Sequence, residues 1–539
     1  MLQHNNTPNY FANKEQSKDT HFQGNISINP VFDDLSNPAT IIGHVEELKS
    51  KSEATPHAEI LHQLIEQLCP LDFEALAFPQ AITLREQLNK AAPGSEQAKD
   101  IQRQLDRLKL NLKHYLVLSI ENALLFAEKN RWGLCKNHDF IYLYNGTFWA
   151  ELDKETFQQF LGEAAEKMGV TKFSARFYQF REQLFKQFLA TAYLPTPEYN
   201  KDTVLINLLN GTFEISPQGM KLRPFDRSDF LTYQLPFEYD PQAKAPLFEA
   251  YLNRVLPDPE RQRVLAEYLG FVFIKHGSNA LKEEKALVLY GTGANGKSVF
   301  FEIVNALLGT DNVSSYSLQS LTNDNGYFRA KLANKLVNYA SEINGNLEAS
   351  IFKQLVSGEP VEARLPYGQP FILKHYAKLI FNCNDLPKDV EHTPAYFRRF
   401  LIIPFDVTIP PEEQDKNLHT KIIEKELSGV FNWVLQGLSR LLEQKKFSDC
   451  KAAQQAVEQY KIESNSVQMF LNDNQYQRSS ANYMLIKNLY QEYRAFCIDD
   501  GMTPFKKTNF IKQLRALNLI VERVSHNQLA VFIEPLGQI

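Results

Sequence analysis

Cysteine is sparse in this chain of 539 residues, and the five that occur (Cys69, Cys135, Cys383, Cys450, Cys497) stand far apart. None forms a Cys-x-x-Cys pair, which argues against both a zinc ribbon and a disulfide framework. Scattered buried thiols in a reducing compartment are the simplest expectation. No window approaches the continuous apolar length of a membrane span. Met1 to Asn6 lacks the basic-then-apolar pattern of a secretion leader. Positive charge is not in excess, the formal net charge being -5. That argues against coating nucleic acid with the whole surface, but it leaves room for a locally basic channel. Internal repeats are absent as well. At this length one core is not enough, and three or four domains are expected.

The pattern along the chain suggests six segments. Residues 1–41 are rich in Asn, Ser and Thr and read as a flexible tail. Residues 42–130 read as helical: Leu105, Leu108, Leu112, Leu116 and Ile120 recur at helical spacing, and Pro93-Gly94 breaks the region in two. Residues 131–280 read as α+β. They hold a hairpin over Asp139–Trp149 turned at Asn145-Gly146, strands over Val204–Tyr239 turned at Asn210-Gly211 and Pro217–Gly219, and two helices starting near Pro246 and Arg261. Residues 281–410 alternate strand and helix, the signature of a parallel α/β sheet. Residues 411–464 are helical. Residues 465–539 run helix, helix, hairpin, the order of a winged helix-turn-helix.

The α/β segment carries the strongest motif. Gly291-Thr292-Gly293-Ala294-Asn295-Gly296-Lys297-Ser298 fits glycine, four residues, then Gly-Lys-Ser. The apolar run Ala286–Tyr290 precedes it and a helical pattern, Val299–Leu308, follows. Glycines let the backbone turn its N–H groups toward phosphate oxygens, and the helix N-terminus favours the same anion. Lys297 reaches the outer phosphates, and the Ser298 hydroxyl suits Mg²⁺. These features predict binding of ATP or another nucleoside triphosphate. A second strand, Leu336–Ser341, ends at Glu342, placed to polarise a water or to support Mg²⁺. A third, Lys378–Cys383, ends at Asn384, an amide able to sense the outer phosphate. Arg398 and Arg399 precede a fourth, and either suits an arginine finger supplied to a neighbouring subunit.

In this order the motifs resemble a superfamily 3 helicase, and more narrowly the primase-helicases of phages, plasmids, satellite phages and poxviruses. The likeness covers about 205–405 and includes the preceding Asn207–Phe213, Arg223–Pro236 and Tyr239–Pro241. It implies an AAA+ P-loop ATPase core that assembles as a ring, usually a hexamer, around single-stranded DNA and moves 3′ to 5′. Lys297 and Ser298 would carry the phosphate and Mg²⁺ roles, Glu342 the catalytic carboxylate, Asn384 the sensor, and Arg398 or Arg399 the finger, with Arg399 preferred. One departure is Ser341, where many AAA+ proteins have a first acidic residue.

The resemblance also implies that 357–371 projects a hairpin into the ring's channel. Arg364 suits a phosphate contact and Tyr367 a stacking one. With Leu365 and Gln369 where more charge would be expected, the grip extends to Lys374 and His375. In the last segment Lys506, Lys507, Lys512 and Arg515 would meet duplex or origin DNA, while Phe510, Ile511 and Leu514 pack inward. The region before Lys129 is short for a polymerising primase and shows no zinc motif or Asp-x-Asp pair. A collar, or a dock for a separate primase or polymerase, is expected there. The leading expectation is an ATP-dependent replicative helicase of a phage, plasmid or mobile element in a bacterial cytoplasm. Two alternatives are a ring-forming origin-binding initiator or DNA-remodelling or defence ATPase, and a nucleotide-regulated interaction protein.

Overall fold

Five short strands, most of them apolar, build the centre of the molecule. In the computed structural model they form one parallel sheet: β7 (Ala286–Tyr290), β8 (Val313–Ser314), β9 (Val337–Ala340), β12 (Lys378–Cys383) and β13 (Phe400–Pro404), in the order β13-β7-β12-β9-β8. Strands covered on both faces need no polar alternation, and β7 and β12 are accordingly apolar and buried almost throughout. The structure describes residues 55–137, 140–194, 200–341, 343, 347–366, 368–387 and 390–536. The expected tail, 1–41, and the stretch 42–54 lie outside the described residues.

The amino-terminal region is helical, with helices at His57–Gln67, Phe73–Ala77, Gln80–Lys90, Glu96–Arg107 and Leu112–Lys129. The Pro93-Gly94 break falls between the third and fourth, with Gly94 at φ 79°. The leucine pattern from 105 to 120 does not mark one continuous helix. Asn111 caps a new helix by accepting from the Lys113 amide, and of the five patterned residues only Ile120 is buried. A cap side chain offers the backbone an exit that periodicity does not register.

The expected hairpin is present as β2 (Phe140–Tyr144) and β3 (Trp149–Leu152), joined by β1 (Gly133–Asn137) into a three-stranded sheet. The Asn145 Oδ1 accepts from the Thr147 and Phe148 amides, and Gly146 takes φ 102°. Strand β2 is buried on both faces. Ile141 and Leu143 join the amino-terminal core with Ile60, Phe157 and Phe188, while Phe140, Tyr142 and Tyr144 join the core of the parallel sheet. A second antiparallel sheet, β4 (Val204–Leu208), β5 (Gly211–Ser216) and β6 (Gly219–Arg223), turns at Leu209-Asn210 and Pro217-Gln218, so the expected turns at Asn210-Gly211 and Pro217–Gly219 are present with their glycines opening the next strand.

These cores run across the sequence divisions at 130/131, 280/281 and 410/411. One core joins β4–β6, the helices Pro246–Val255 and Pro259–Phe271, the parallel sheet and the long helix Leu418–Gln444. The helix pair Pro259–Phe271 and Leu418–Gln444 approaches closely through glycine: a Cβ on Gly270 would stand 2.6 Å from the Leu438 Cβ, and one on Gly437 2.4 Å from the Ala266 carbonyl carbon. The fully buried Glu267 is satisfied there by Arg440 at 2.7 Å and by the Ser448 amide and hydroxyl. Buried carboxylates persist only when paired in this way.

The carboxy-terminal segment has its own core. Helices Ser466–Asp473, Ile486–Asp499 and Lys507–Ala516 pack with β14 (Tyr476–Arg478), β15 (Met484–Leu485), β16 (Val521–Val524), β17 (Gln528–Val531) and β18 (Ile533–Pro535). The helices Ile486–Asp499 and Lys507–Ala516 and the pair β16–β17 follow the expected helix, helix, hairpin order. The antiparallel pair β10 (Val361–Arg364) and β11 (Pro370–Leu373) stands apart from the parallel sheet. No helix among the described residues is long and apolar enough to cross a membrane.

Candidate active site

The chain leaves β7 at Gly291, where nothing larger fits: a Cβ would stand 2.3 Å from the Asn295 side-chain nitrogen and 2.6 Å from the Phe405 carbonyl. Gly293 (φ 112°), Ala294 (φ 46°) and Gly296 (φ 87°) then curl the loop through left-handed backbone. Ala294 pays for that geometry with a bond to the flank, its carbonyl accepting from the Ile409 amide at 2.8 Å. The helix Lys297–Leu308 starts directly afterward. The Phe300 amide bonds to the Gly296 carbonyl, so the amides before it are not used by that first helical turn. A strand, a curled glycine loop and a helix N-terminus together make an anion cradle.

Three side chains fix this loop. Asn295 is buried and donates to the Phe405 carbonyl at 3.1 Å. Lys297 is also buried and donates to the Gly291 carbonyl at 2.6 Å and to the Asn295 Oδ1 at 3.1 Å. Burial holds its pKa below the ordinary lysine value. Tyr251 donates to the Gly296 carbonyl at 2.9 Å. A Cβ at Gly296 would strike Val255 at 2.7 Å, so the helix Pro246–Val255 supports the loop from outside the parallel sheet. Motif reading missed Tyr251 because it lies 45 residues from its partner in an unremarkable helical run. Thr292 and Ser298 are exposed, Ser298 on the first turn of the helix.

Strand β12 lies beside β7 with Cys383 opposite Tyr290, so Asn384 emerges level with Gly291 and is exposed. Burial pushes the Cys383 thiol up to about 12, which leaves a neutral sulfur beside the loop. On the other side β12 pairs with β9 through Phe381 and Ala340, and Ser341 after it is exposed. Glu342 lies outside the described residues. Residues 291–298 and Asn384 are thus gathered at one end of the sheet. The loop geometry fits a nucleoside triphosphate: glycines stand where a Cβ would clash or φ is positive, with one lysine inside and one hydroxyl at the helix start.

Arg398 and Arg399 stand at the other end. The Arg399 carbonyl accepts from the Ala286 amide at the start of β7. Five residues of extended strand separate the two ends, roughly 15 Å, too far for either arginine to serve its own loop. Their environments differ. Arg399 is buried, donates to the Ser357 hydroxyl at 2.8 and 3.2 Å and to the Ala395 carbonyl, and pairs with Glu284 at 3.2 Å. Arg398 is 63% exposed, with Glu284 at 3.2 Å as its ion-pair partner. Of the two guanidinium groups that of Arg398 is accessible, whereas that of Arg399, the preferred finger in the sequence reading, is buried.

The remaining candidates lie on other surfaces. Arg364 is exposed near the end of the β10–β11 hairpin, opposite Pro370, donates to the Gly368 carbonyl at 3.0 Å and lies over the Tyr327 ring at 6.0 Å. Tyr367 lies outside the described residues. Lys374 and His375 are exposed just after β11. Two braces that the sequence did not signal hold the hairpin base. The buried Arg329 donates to the Glu362 carbonyl at 2.7 Å, and the Tyr376 hydroxyl reaches the Glu359 carbonyl at 2.8 Å. Lys506, Lys507, Lys512 and Arg515 are all exposed, with Phe510 and Leu514 buried and Ile511 half-buried beneath them.

Comparison with known proteins gives two family matches. Residues 123–257 match the family described as D5 N terminal like, and residues 289–399 match a family of unknown function, DUF5906. Domains of these two kinds are typical of phage and viral primase-helicases. A protein of Acanthamoeba polyphaga mimivirus, named as a candidate helicase, is 26% identical over 238 residues, covering 42% of this chain and 24% of its own length. The chain therefore spans about a quarter of that relative. Among solved structures, two of the apo C-terminal region of NrS-1 superpose with TM-scores of 0.43 and 0.44 at 11% and 12% identity. They cover 77% and 78% of this chain and 98% and 100% of theirs.

Proposed function

We infer, from a chain that carries a D5 N terminal like segment joined to a phosphate-loop core, that this protein is an ATP-driven DNA helicase acting as a ring of identical subunits. The observation that carries the reading is the division of labour across the parallel sheet. The phosphate loop and Asn384 share one end, and an exposed arginine stands at the other, out of reach of its own loop. Such a subunit is incomplete alone, and a neighbour presenting Arg398 completes it. A hexamer closed head to tail satisfies that need at every interface.

In this reading Gly291 to Ser298 bind the triphosphate, Lys297 leaving its internal partners for the outer phosphates. Ser298 and Glu342 would hold Mg²⁺, which supplies charge neutralisation when bound. Glu342 orients and deprotonates the attacking water, and Asn384 fixes that water against the outer phosphate. Arg398 of the adjoining subunit meets the charge that builds on the transferred group. The β10–β11 hairpin, with Arg364 and Tyr367, grips single-stranded DNA in the channel and moves it 3′ to 5′. ATP turnover by the full chain, measured with and without single-stranded DNA, tests the reading. Stimulation by DNA, abolished in Glu342→Gln with nucleotide binding retained, is expected; turnover indifferent to DNA would contradict it.

One observation favours a second activity in the same protein. Four cations share the outer side of the helix Lys507–Ala516 and the turn before it. That arrangement suits phosphate contacts to duplex DNA, as at an origin. A partner primase or polymerase remains a proposal for the amino-terminal helices, in the host cytoplasm of a phage or plasmid.

A further inference from the structure

A cavity of about 190 Å³ opens where the β1–β3 sheet, the turn Asp229–Tyr233 and the strand β11 meet. Its lining contains no residue of the phosphate loop. Aromatic rings are prominent in its lining, among them Phe140, Tyr142, Phe230 and Phe371. Phe140 and Phe371 meet edge to face at 6.0 Å, as do Tyr142 and Phe230 at 5.2 Å.

Phe230 reaches the cavity from left-handed backbone, φ 46° and ψ 48°. A bulky side chain rarely adopts that conformation. Its surroundings impose it. Arg223 pairs with Asp229 at 2.8 Å on one side, and on the other the Trp149 amide donates to the Leu231 carbonyl at 2.9 Å. The Trp149 indole nitrogen also bonds to the Arg227 carbonyl at 3.0 Å. Strain held this firmly, on a ring that lines a cavity, is characteristic of ligand clamps.

The lining is also rich in basic groups. Lys374 and His375 are exposed in it, Lys275 and Lys335 contribute, and its one carboxylate, Asp229, is paired with Arg223 at 2.8 Å. An aromatic cleft with basic groups in its lining matches a base attached to a phosphate: rings stack on any base, and the cations take the phosphate oxygens. The cavity also adjoins the hairpin. Phe371, in its wall, follows Pro370, the register partner of Arg364.

We propose that this cavity receives one nucleoside phosphate unit, its base among Tyr142, Phe230 and Phe371 and its phosphate on Lys374 and His375. The unit is either a free mononucleotide or one nucleotide turned out of a single strand held at the hairpin. The proposal does not depend on ATP turnover.

The test uses the full chain. Deoxynucleoside monophosphates are titrated first. An oligonucleotide is then compared with the same length carrying consecutive abasic sites, and a strand containing 5-iododeoxyuridine is photo-crosslinked and the attachment mapped. Saturable mononucleotide binding, weakened roughly tenfold or more in Lys374→Glu and Phe230→Ala, supports the proposal with a free nucleotide as ligand. Preference for the intact over the abasic strand, with cross-links at Phe230 or Phe371, supports it with the strand as ligand. Lys374→Glu alters an exposed side chain, so it remains informative if Phe230→Ala fails to fold. Absence of mononucleotide binding together with equal affinity for intact and abasic strands overturns the proposal. A chain with DNA-stimulated ATPase and that negative result loses the cavity alone. A chain without ATPase that binds a mononucleotide there loses the helicase reading alone.

Discussion

The amide of Gly291 donates to the carbonyl of Cys383 across 3.2 Å, so the phosphate loop and Asn384 leave neighbouring strands at the same level. From this pairing Asn384→Ala is expected to lower ATP turnover by roughly 10- to 100-fold, the scale of losing one positioned polar group. Nucleotide affinity should change little, because the loop and Lys297 are untouched. Steady-state turnover set against equilibrium nucleotide binding checks the separation; loss of both together would place Asn384 in loop structure instead.

The two adjacent arginines should behave differently. Arg398→Ala is expected to reduce turnover by about 10³-fold, as for a removed arginine finger, with melting temperature unchanged because an exposed ion pair contributes little. Mixing it with Lys297→Ala should restore part of the activity, since some interfaces would then pair an intact loop with an intact arginine. Arg399→Ala should instead destabilise the fold by about 2–3 kcal/mol, visible as a lower melting temperature, because Ser357 and the Ala395 carbonyl lose their buried partner.

Much of this arrangement was legible in the sequence because its signals are local. The glycine loop, the Asn145-Gly146 and Asn210-Gly211 turns and the final helix–helix–hairpin order are each set by a few neighbouring residues whose backbone needs are specific. What was not legible depends on distant packing. Nothing near Arg398 or Arg399 reveals which one Ser357 buries. Tyr251 supports Gly296 from a helix in a different segment. Gly270 and Gly437 matter because two helices come together there, a fact of tertiary contact that carries one core across position 280/281.

Arg364→Ala should weaken single-stranded DNA binding and reduce the salt slope by about 0.7, the contribution of one phosphate contact on a single strand. The side chain is exposed and its bond to the Gly368 carbonyl is local, so the hairpin should persist. Binding isotherms at several salt concentrations provide the check; an unchanged slope would remove this residue from the channel.

Lys378 gives a prediction in pH. It is buried at the start of β12 against the Phe271 ring at 4.1 Å and the His276 Nδ1 at 3.1 Å, and burial lowers its pKa from 10.5 to about 7. Between about 7 and 10.5 the unfolded chain keeps a proton that the folded chain has released, so this residue makes stability rise with pH across that window. Below about 7 both states are protonated and the cost is full. Lys378→Met is therefore expected to be the more stable protein at pH 6, by an amount on the order of a few kcal/mol. That advantage should shrink toward pH 10. Thermal or denaturant melts of both proteins across this range test it; a constant difference would mean that Lys378 does not titrate in the window.

The most direct test of the central claim is unwinding of a duplex carrying a 3′ single-stranded tail by the full chain, with ATP as fuel. Strand separation is expected that needs hydrolysable ATP, fails on a 5′-tailed duplex and is lost in Lys297→Ala. Robust DNA-stimulated hydrolysis with no separation of any tailed duplex would contradict it.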